Sequence, residues 1–196
     1  MKGILFVEDM FKMVLAGVKT ETRRIATTDY HFELIDFDGK EALLYHLKNG
    51  NWAFLKPKHK AGEIVYLKEP YCFNGDSIIY KYLDRNTFPN HYYKNKMFMP
   101  EKYSRFKIQI ISVFIEELNK ISNQSAINEG IAELLQNSSQ LAKNGRLFRD
   151  YSIKKESIMD GVKAVKSFET LWNSNNKDVP FKCNPFVWVY LFRVLN

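Results

Sequence analysis

Cysteine is scarce in this chain: 196 residues carry two, Cys72 and Cys183. They are far apart and show no paired spacing, which argues against a disulfide framework. Reduced thiols in a cytoplasmic protein are the expectation. No His/Cys cluster has metal-ligand spacing, so neither a structural zinc nor another cofactor is expected. No apolar run approaches the ~18 residues of a membrane span. Met1 to Phe6 lacks the longer apolar stretch and the small-residue cleavage site of a signal peptide. The Ser, His and Asp residues show no hydrolase-triad spacing, and no Gly-rich phosphate cradle is present. Internal repeats, low-complexity tracts and domain linkers are missing too.

What is there points to a single packed domain over residues 1–196. Hydrophobic residues make up 45% and aromatics 15%, ample for a core and contrary to disorder. The net charge is +7 with a pI near 9.2, a balance that favours a polyanionic or phosphate-bearing partner.

Apolar patterning divides the chain. Met1 to Phe6 reads as a strand. Asp9 is the expected N-cap of a helix whose stripe is Met10, Phe11, Val14 and Leu15, with Gly17 at its C′ position. Residues Thr27 to Lys60 read as polar loop with at most a short hairpin, and Trp52 falls in that loop. Ile64 to Glu69 is a strand stopped by Pro70, with Val65, Leu67 and Glu69 on one face. Ser77 to Tyr82 is a further strand. Phe106 to Leu118 is a long strand whose phase breaks near Ile110-Ile111, the mark of a bulge. Ser122 caps a short helix ending at Glu129 and Gly130. Ala132 to Lys155 is partly helical. The spacing of Ile158, Val162, Val165, Phe168, Leu171 and Trp172 predicts a helix over 157–172. Phe186 to Phe192, apolar on both faces, reads as a buried closing strand. Five or six strands with inserted helices predict an α+β fold built on a small mixed barrel.

The residues with chemical potential concentrate in Lys19-Thr20-Glu21-Thr22-Arg23-Arg24, directly after the first helix. In an extended segment Lys19, Glu21 and Arg23 share one face and Thr20, Thr22 and Arg24 the other. A bulge near Gly17 would bring Lys19 and Thr22 together. A Thr hydroxyl needs a base beside it to act as a nucleophile, and a Lys with a depressed pKa is such a base. Taken alone, the segment reads more simply as a basic surface cluster. Glu129 sits at a helix C-terminus, where the dipole opposes negative charge, so either solvent or a cation such as Lys19 must offset it. Glu69 points either toward a cavity or to a surface partner. Arg105, beside Ser104, is either a phosphate or base-edge contact or a side chain snorkelling over the core. Trp172 and Trp188 read as packing residues. Trp52, beside Phe54, is placed to stack a base, and the aromatic-basic loop from Asn90 to Lys96 has the composition either of a single-strand contact surface or of an ordinary solvated loop.

Taken in order, these segments resemble the ASCH domain family, a branch of the PUA-like fold, with greatest similarity to the longer versions of phages and prophages. The resemblance rests on Ile4-Leu5-Phe6, the run from Leu15 to Arg24, Gly62 to Glu69, Phe98-Met99-Pro100 with Ser104-Arg105, and Ile121-Ser122. It continues through Ala126 to Ile131, Ser167-Phe168, Leu171-Trp172 and Asn184 to Val189. Residues near 27–60 and 132–155 match least and read as insertions. The resemblance implies a PUA-like mixed β-barrel with flanking helices and a cleft that binds RNA or modified nucleobases. One small bacterial member is an amidohydrolase that deacetylates N-acetylcytidine. Its catalytic Lys, Thr and Glu fall, by motif, on Lys19, Thr22 and Glu129, and the same pattern places Arg24. Other members are associated with ribonuclease activity. Three functions follow as expectations. The first is binding of RNA, single strands included, or of a modified nucleoside, with Arg23, Arg24, Glu69, Ser104 and Arg105 as contacts. The second is hydrolysis of an acylated nucleobase by Lys19, Thr22 and Glu129. The third is a phage accessory module that binds a protein.

Overall fold

The computed structural model describes residues 1–29, 31–84, 92–136, 138–153 and 161–195. Among these, ten strands form three sheets and helices flank them, so the fold is α+β. The main sheet comprises β1 (Gly3–Leu5), β2 (Glu21–Ile25), β6 (Ile64–Lys68), β9 (Lys107–Glu117) and β10 (Phe186–Leu195), in the spatial order β1-β6-β9-β10-β2. β1 runs parallel to β6, and the other neighbours are antiparallel. β9 and β10 form the centre because both are long and rich in β-branched and aromatic residues. Ile108, Ile110, Val187 and Val189 are fully buried there. The β9–β10 register slips between Leu191 and Phe192, leaving Ile111 as the extra residue where a bulge is expected. β10 is an interior strand, not a closing one. The ladder ends at β1 and β2 and, among the described residues, no closed barrel forms.

The region expected to be loop holds the second sheet: β3 (Phe32–Phe37), β4 (Ala42–His46) and β5 (Trp52–Leu55), all antiparallel. The polar turns at 38–41 and 48–51 mask a period of two in the strands between them. Ala42, Leu44 and His46 point inward and are buried, whereas Trp52 and Phe54 of β5 point out. Trp52 is therefore a strand residue. β7 (Tyr71–Asn74) and β8 (Ser77–Tyr80) make a hairpin. The strand expected to reach Tyr82 stops at Tyr80, where α2 (Lys81–Asp84) begins.

Helix α1 (Glu8–Leu15) buries Met10, Phe11 and Val14 against the sheet. Its N-cap is Val7; Asp9 lies in the first turn, where its charge complements the helix dipole. Gly17, at φ +71°, ends it as expected. In α3 (Asn123–Asn128) the Ser122 hydroxyl accepts the Ser125 N–H at 3.1 Å, the expected cap. α4 (Ser138–Asn144) supplies the partial helix of the 132–155 region. α5 (Ala164–Asn175) starts later than the spacing predicts. Val162 exchanges both backbone hydrogen bonds with Phe148 at 2.9 Å, which holds it extended, and Ile158 lies outside the described residues. No helix among the described residues is long and apolar enough to cross a membrane.

Candidate functional site

β1 and β2 are the two edges of the open sheet, and a side chain links them: Arg24 Nη2 of β2 donates to the Leu5 carbonyl of β1 at 2.7 Å. A cleft of about 320 Å³ opens at this seam, between the end of β1, β2, the C-terminus of α3 and the face of α5. Lys19, Thr22, Arg23, Arg24 and Glu129 all line it.

The fold brings Lys19 to Glu129 through three backbone devices. The Lys19 N–H bonds the Met13 carbonyl at 3.0 Å as the chain leaves α1, and the Thr20 N–H bonds the Asn128 carbonyl at 2.8 Å. Gly130 then turns the chain at φ +83°, and a Cβ there would sit 2.8 Å from the Lys19 Cβ. Glycine is needed at this position for both its backbone conformation and its missing side chain. The result is a tight ion pair. Lys19 Nζ donates to Glu129 Oε2 at 2.5 Å and to the Glu129 carbonyl at 2.7 Å. Arg23 Nη1 takes the other carboxylate oxygen at 3.1 Å. Glu129 thus has two cations at a helix end that disfavours its charge. Arg23 is fixed from behind by Glu116, with Nε and Nη2 at 2.9 and 2.8 Å from Oε1. Glu21 is held by Asn128 Nδ2 at 2.8 Å and lies 3.4 Å from Arg23.

Burial pushes the Lys19 amine below its ordinary range; Glu129 opposes this shift, and Arg24 and Arg23 add to it. Thr22 is buried at the wall of the same cleft, and its hydroxyl makes no hydrogen bond among the described residues.

Among the described residues the charged lining is four cations, Lys19, Arg23, Arg24 and Lys96, against one carboxylate, Glu129. Arg24 and Lys96 are distinctive because their partners are neutral. Arg24 holds the Leu5 carbonyl. Lys96 Nζ holds the Phe6 carbonyl at 2.6 Å and the Tyr82 hydroxyl at 2.9 Å. Burial, and then the charge of Arg24, lower the Lys96 amine below its usual value. The apolar lining is aromatic. The Phe6 ring lies 5.4 Å from the Arg24 guanidinium and 5.6 Å from Lys19 Nζ, and Phe168 and Trp172 contribute from α5. Trp172 is buried as expected of a packing residue but also borders the cleft, and Trp188 borders a neighbouring chamber.

The other sequence candidates lie elsewhere. Glu69, Ser104 and Arg105 do not border this cleft. Arg105 grips Glu69 with Nη2 at 3.0 Å from both carboxylate oxygens, and its guanidinium stacks 3.8 Å above Tyr80. Ser104 Oγ is bound to the Leu67 and Phe106 carbonyls at 2.8 and 3.0 Å. Of the aromatic-basic loop, residues 90 and 91 lie outside the described residues, and Lys96 reaches the cleft. Phe6 and Glu116 were not legible as site residues, because each is selected by where the fold brings it, whereas Lys96 was marked only as part of the aromatic-basic loop.

One carboxylate–histidine cluster also forms that no spacing announced: Asp29, His31 and His46. Asp29 bonds His31 Nδ1 at 3.0 Å and His46 Nε2 at 2.9 Å. His46 Nδ1 accepts the N–H groups of Lys48 and Asn49, each at 3.2 Å. That leaves the His46 proton on Nε2, pointing at Asp29. The cluster is a hydrogen-bonded triad pinning the second sheet, and a metal at Nε2 would have to displace that proton and break both Nδ1 bonds.

No protein-family model, curated protein or solved structure matches this chain at a significant level.

Proposed function

We propose that this chain is an ASCH-type, PUA-like domain whose seam cleft binds RNA or a modified nucleoside. The carrying observation is the pair Arg24 and Lys96. Both are cations on a cavity wall, and both are held by neutral oxygens rather than carboxylates. Such a site has unbalanced positive charge for an anion and an aromatic wall for a base. Support for the family reading comes from the Lys-Thr-x-Thr-x-Arg run, whose Lys19, Thr22 and Arg24 share one cleft with Glu129, and from the Arg24–Leu5 contact that links the two edge strands. Free thiols at Cys72 and Cys183 fit a cytoplasmic location.

A second reading has its own observation: a buried amine with a depressed pKa and an unpartnered Thr22 hydroxyl line one cavity. With the Lys19 proton passed to Glu129, the neutral amine would take the proton of Thr22 as its oxygen attacks an amide carbonyl. The freed nucleobase amine would leave with that proton, and water would release the acyl group from Thr22. Arg24 is the donor available to the oxyanion.

Incubation with N-acetylcytidine separates the two readings. Release of cytidine that is lost in Thr22→Ala and Lys19→Ala supports the hydrolase. Salt-sensitive binding of cytidine monophosphate or short RNA without turnover supports the binding module. Neither binding nor turnover overturns both and leaves a protein-binding role.

A further inference from the structure

Beyond Arg24 the seam opens into a second chamber of about 380 Å³. It shares Leu5, Arg24 and Ile25 with the first, so the two chambers meet at a common wall. Among the described residues its charged lining is Arg24, Lys56 and Lys58, with no carboxylate. Lys56 meets its carboxylate, Glu41, at 3.4 Å from outside the chamber. The chamber also holds buried His59, whose Nδ1 has no hydrogen-bond partner and lies 3.7 Å from the nearest carboxylate oxygen, on Glu63. The Tyr190 hydroxyl accepts the Lys58 N–H at 3.1 Å, which leaves its own proton free to donate.

The chain that supplies Lys56 and Lys58 has a period of two from 52 to 59. Trp52, Phe54, Lys56 and Lys58 are exposed, whereas Pro57 and His59 are buried and Ala53 and Leu55 half-buried. Outward-facing aromatics on β5 are thus followed by outward-facing lysines that reach the chamber. Trp52 and Phe54 are 56% and 64% exposed, far more than packing requires. Trp52 is braced by Tyr45 at a ring distance of 5.0 Å, which holds it as a platform. Outward aromatic platforms on β5 followed by outward cations just beyond it match the needs of an unstacked polynucleotide, whose bases need π-faces and whose backbone needs positive charge.

We propose that the natural ligand is a single-stranded nucleic acid rather than a free nucleoside. One base enters the first chamber, its phosphate sits in the second between Arg24 and Lys58, and neighbouring bases stack on Phe54 and Trp52. This rests on the reading of the first chamber as a nucleobase pocket. It adds a phosphate subsite and a track lying in the 27–60 region, which the family resemblance covers least.

The test is a titration series with cytidine, cytidine 5′-monophosphate and a short oligocytidylate. The full chain is compared with Lys58→Ala and with a Trp52→Ala, Phe54→Ala double variant. All three substituted residues are exposed, so the variants keep the core. Binding is expected to tighten from cytidine to monophosphate to oligomer. Lys58→Ala should remove the gain from the phosphate, on the order of tenfold, and lower the salt slope by about one. The aromatic double variant should weaken the oligomer by on the order of tenfold or more and leave the monophosphate unchanged. Equal affinity for cytidine and the oligomer, indifferent to Lys58 and Trp52, would overturn this proposal while leaving the nucleobase pocket standing. If none of the three ligands binds, the pocket reading falls and this proposal falls with it.

Discussion

Two arginine–carboxylate clusters in this molecule look alike in sequence and differ in what surrounds them. Glu129 is bound by Lys19 and Arg23, and Glu69 by Arg105; both carboxylates are buried. The Glu69 pair is bidentate and capped by the Tyr80 ring, and neither partner borders the seam cleft. The Glu129 cluster forms one wall of a cavity that also carries Arg24 and Lys96, two cations held by neutral oxygens. A buried ion pair alone is therefore a poor marker of a site. Charge left over beside an open aromatic space is a better one.

Removing one member of each pair tests that contrast most severely. Glu129→Ala strands Lys19 and leaves Arg23 one carboxylate short, and is expected to cost about 3–5 kcal/mol in urea unfolding. Glu69→Ala leaves Arg105 partly exposed and should cost less, about 1–3 kcal/mol. Only the first should also abolish binding of cytidine monophosphate. Equal loss of binding in both variants would erase the distinction.

Gly130→Ala probes how the seam cluster is positioned. It forces a Cβ into a left-handed conformation and against the Lys19 side chain, and should destabilise by at least ~1–2 kcal/mol. It should also displace Lys19 and weaken ligand binding, which no glycine near Glu69 would do. Wild-type affinity in a folded Gly130→Ala protein would break the positioning argument.

The exposed pair Glu133–Arg146, at 2.6 Å, is the control for charge without burial. Arg146→Ala should change stability by no more than about 1 kcal/mol, read from the unfolding midpoint, and leave binding intact. The mildest effect concerns pH. Burial, opposed by Glu63, holds the His59 imidazole below its ordinary value of 6.5. Unfolding then takes up a proton between that lowered value and 6.5, so stability falls as pH drops through this window. His59→Gln should flatten that slope; an unchanged slope would mean that His59 is not held neutral in the fold.

The α+β class, the bulge opposite Leu191, the Ser122 cap and the Gly130 turn were legible because each depends on local pattern and turn chemistry. The second sheet was not, since its strands, though mostly apolar, are short and are separated by turns rich in charge, Asn and Gly, and its inward set of Ala42, Leu44 and His46 mixes apolar and polar residues. The α5 start was misread because a backbone bridge to Phe148 overrides the helical spacing of Val162. Within the site, Lys19, Thr22, Arg23, Arg24 and Glu129 were nameable from sequence and do share a cleft. Glu69, Ser104 and Arg105 were equally nameable and do not. Phe6 was invisible, because only the meeting of distant segments gives it a role, and Lys96 was marked only by the composition of its loop.

Ligand is expected to bind at the seam between β1 and β2, and amide chemical-shift mapping during titration with cytidine monophosphate is the direct test. Perturbed amides are expected to cluster at Leu5, Phe6, Lys19 to Ile25 and Asn128 to Gly130. Perturbations centred on Glu69, Ser104 and Arg105, with the seam silent, would contradict it.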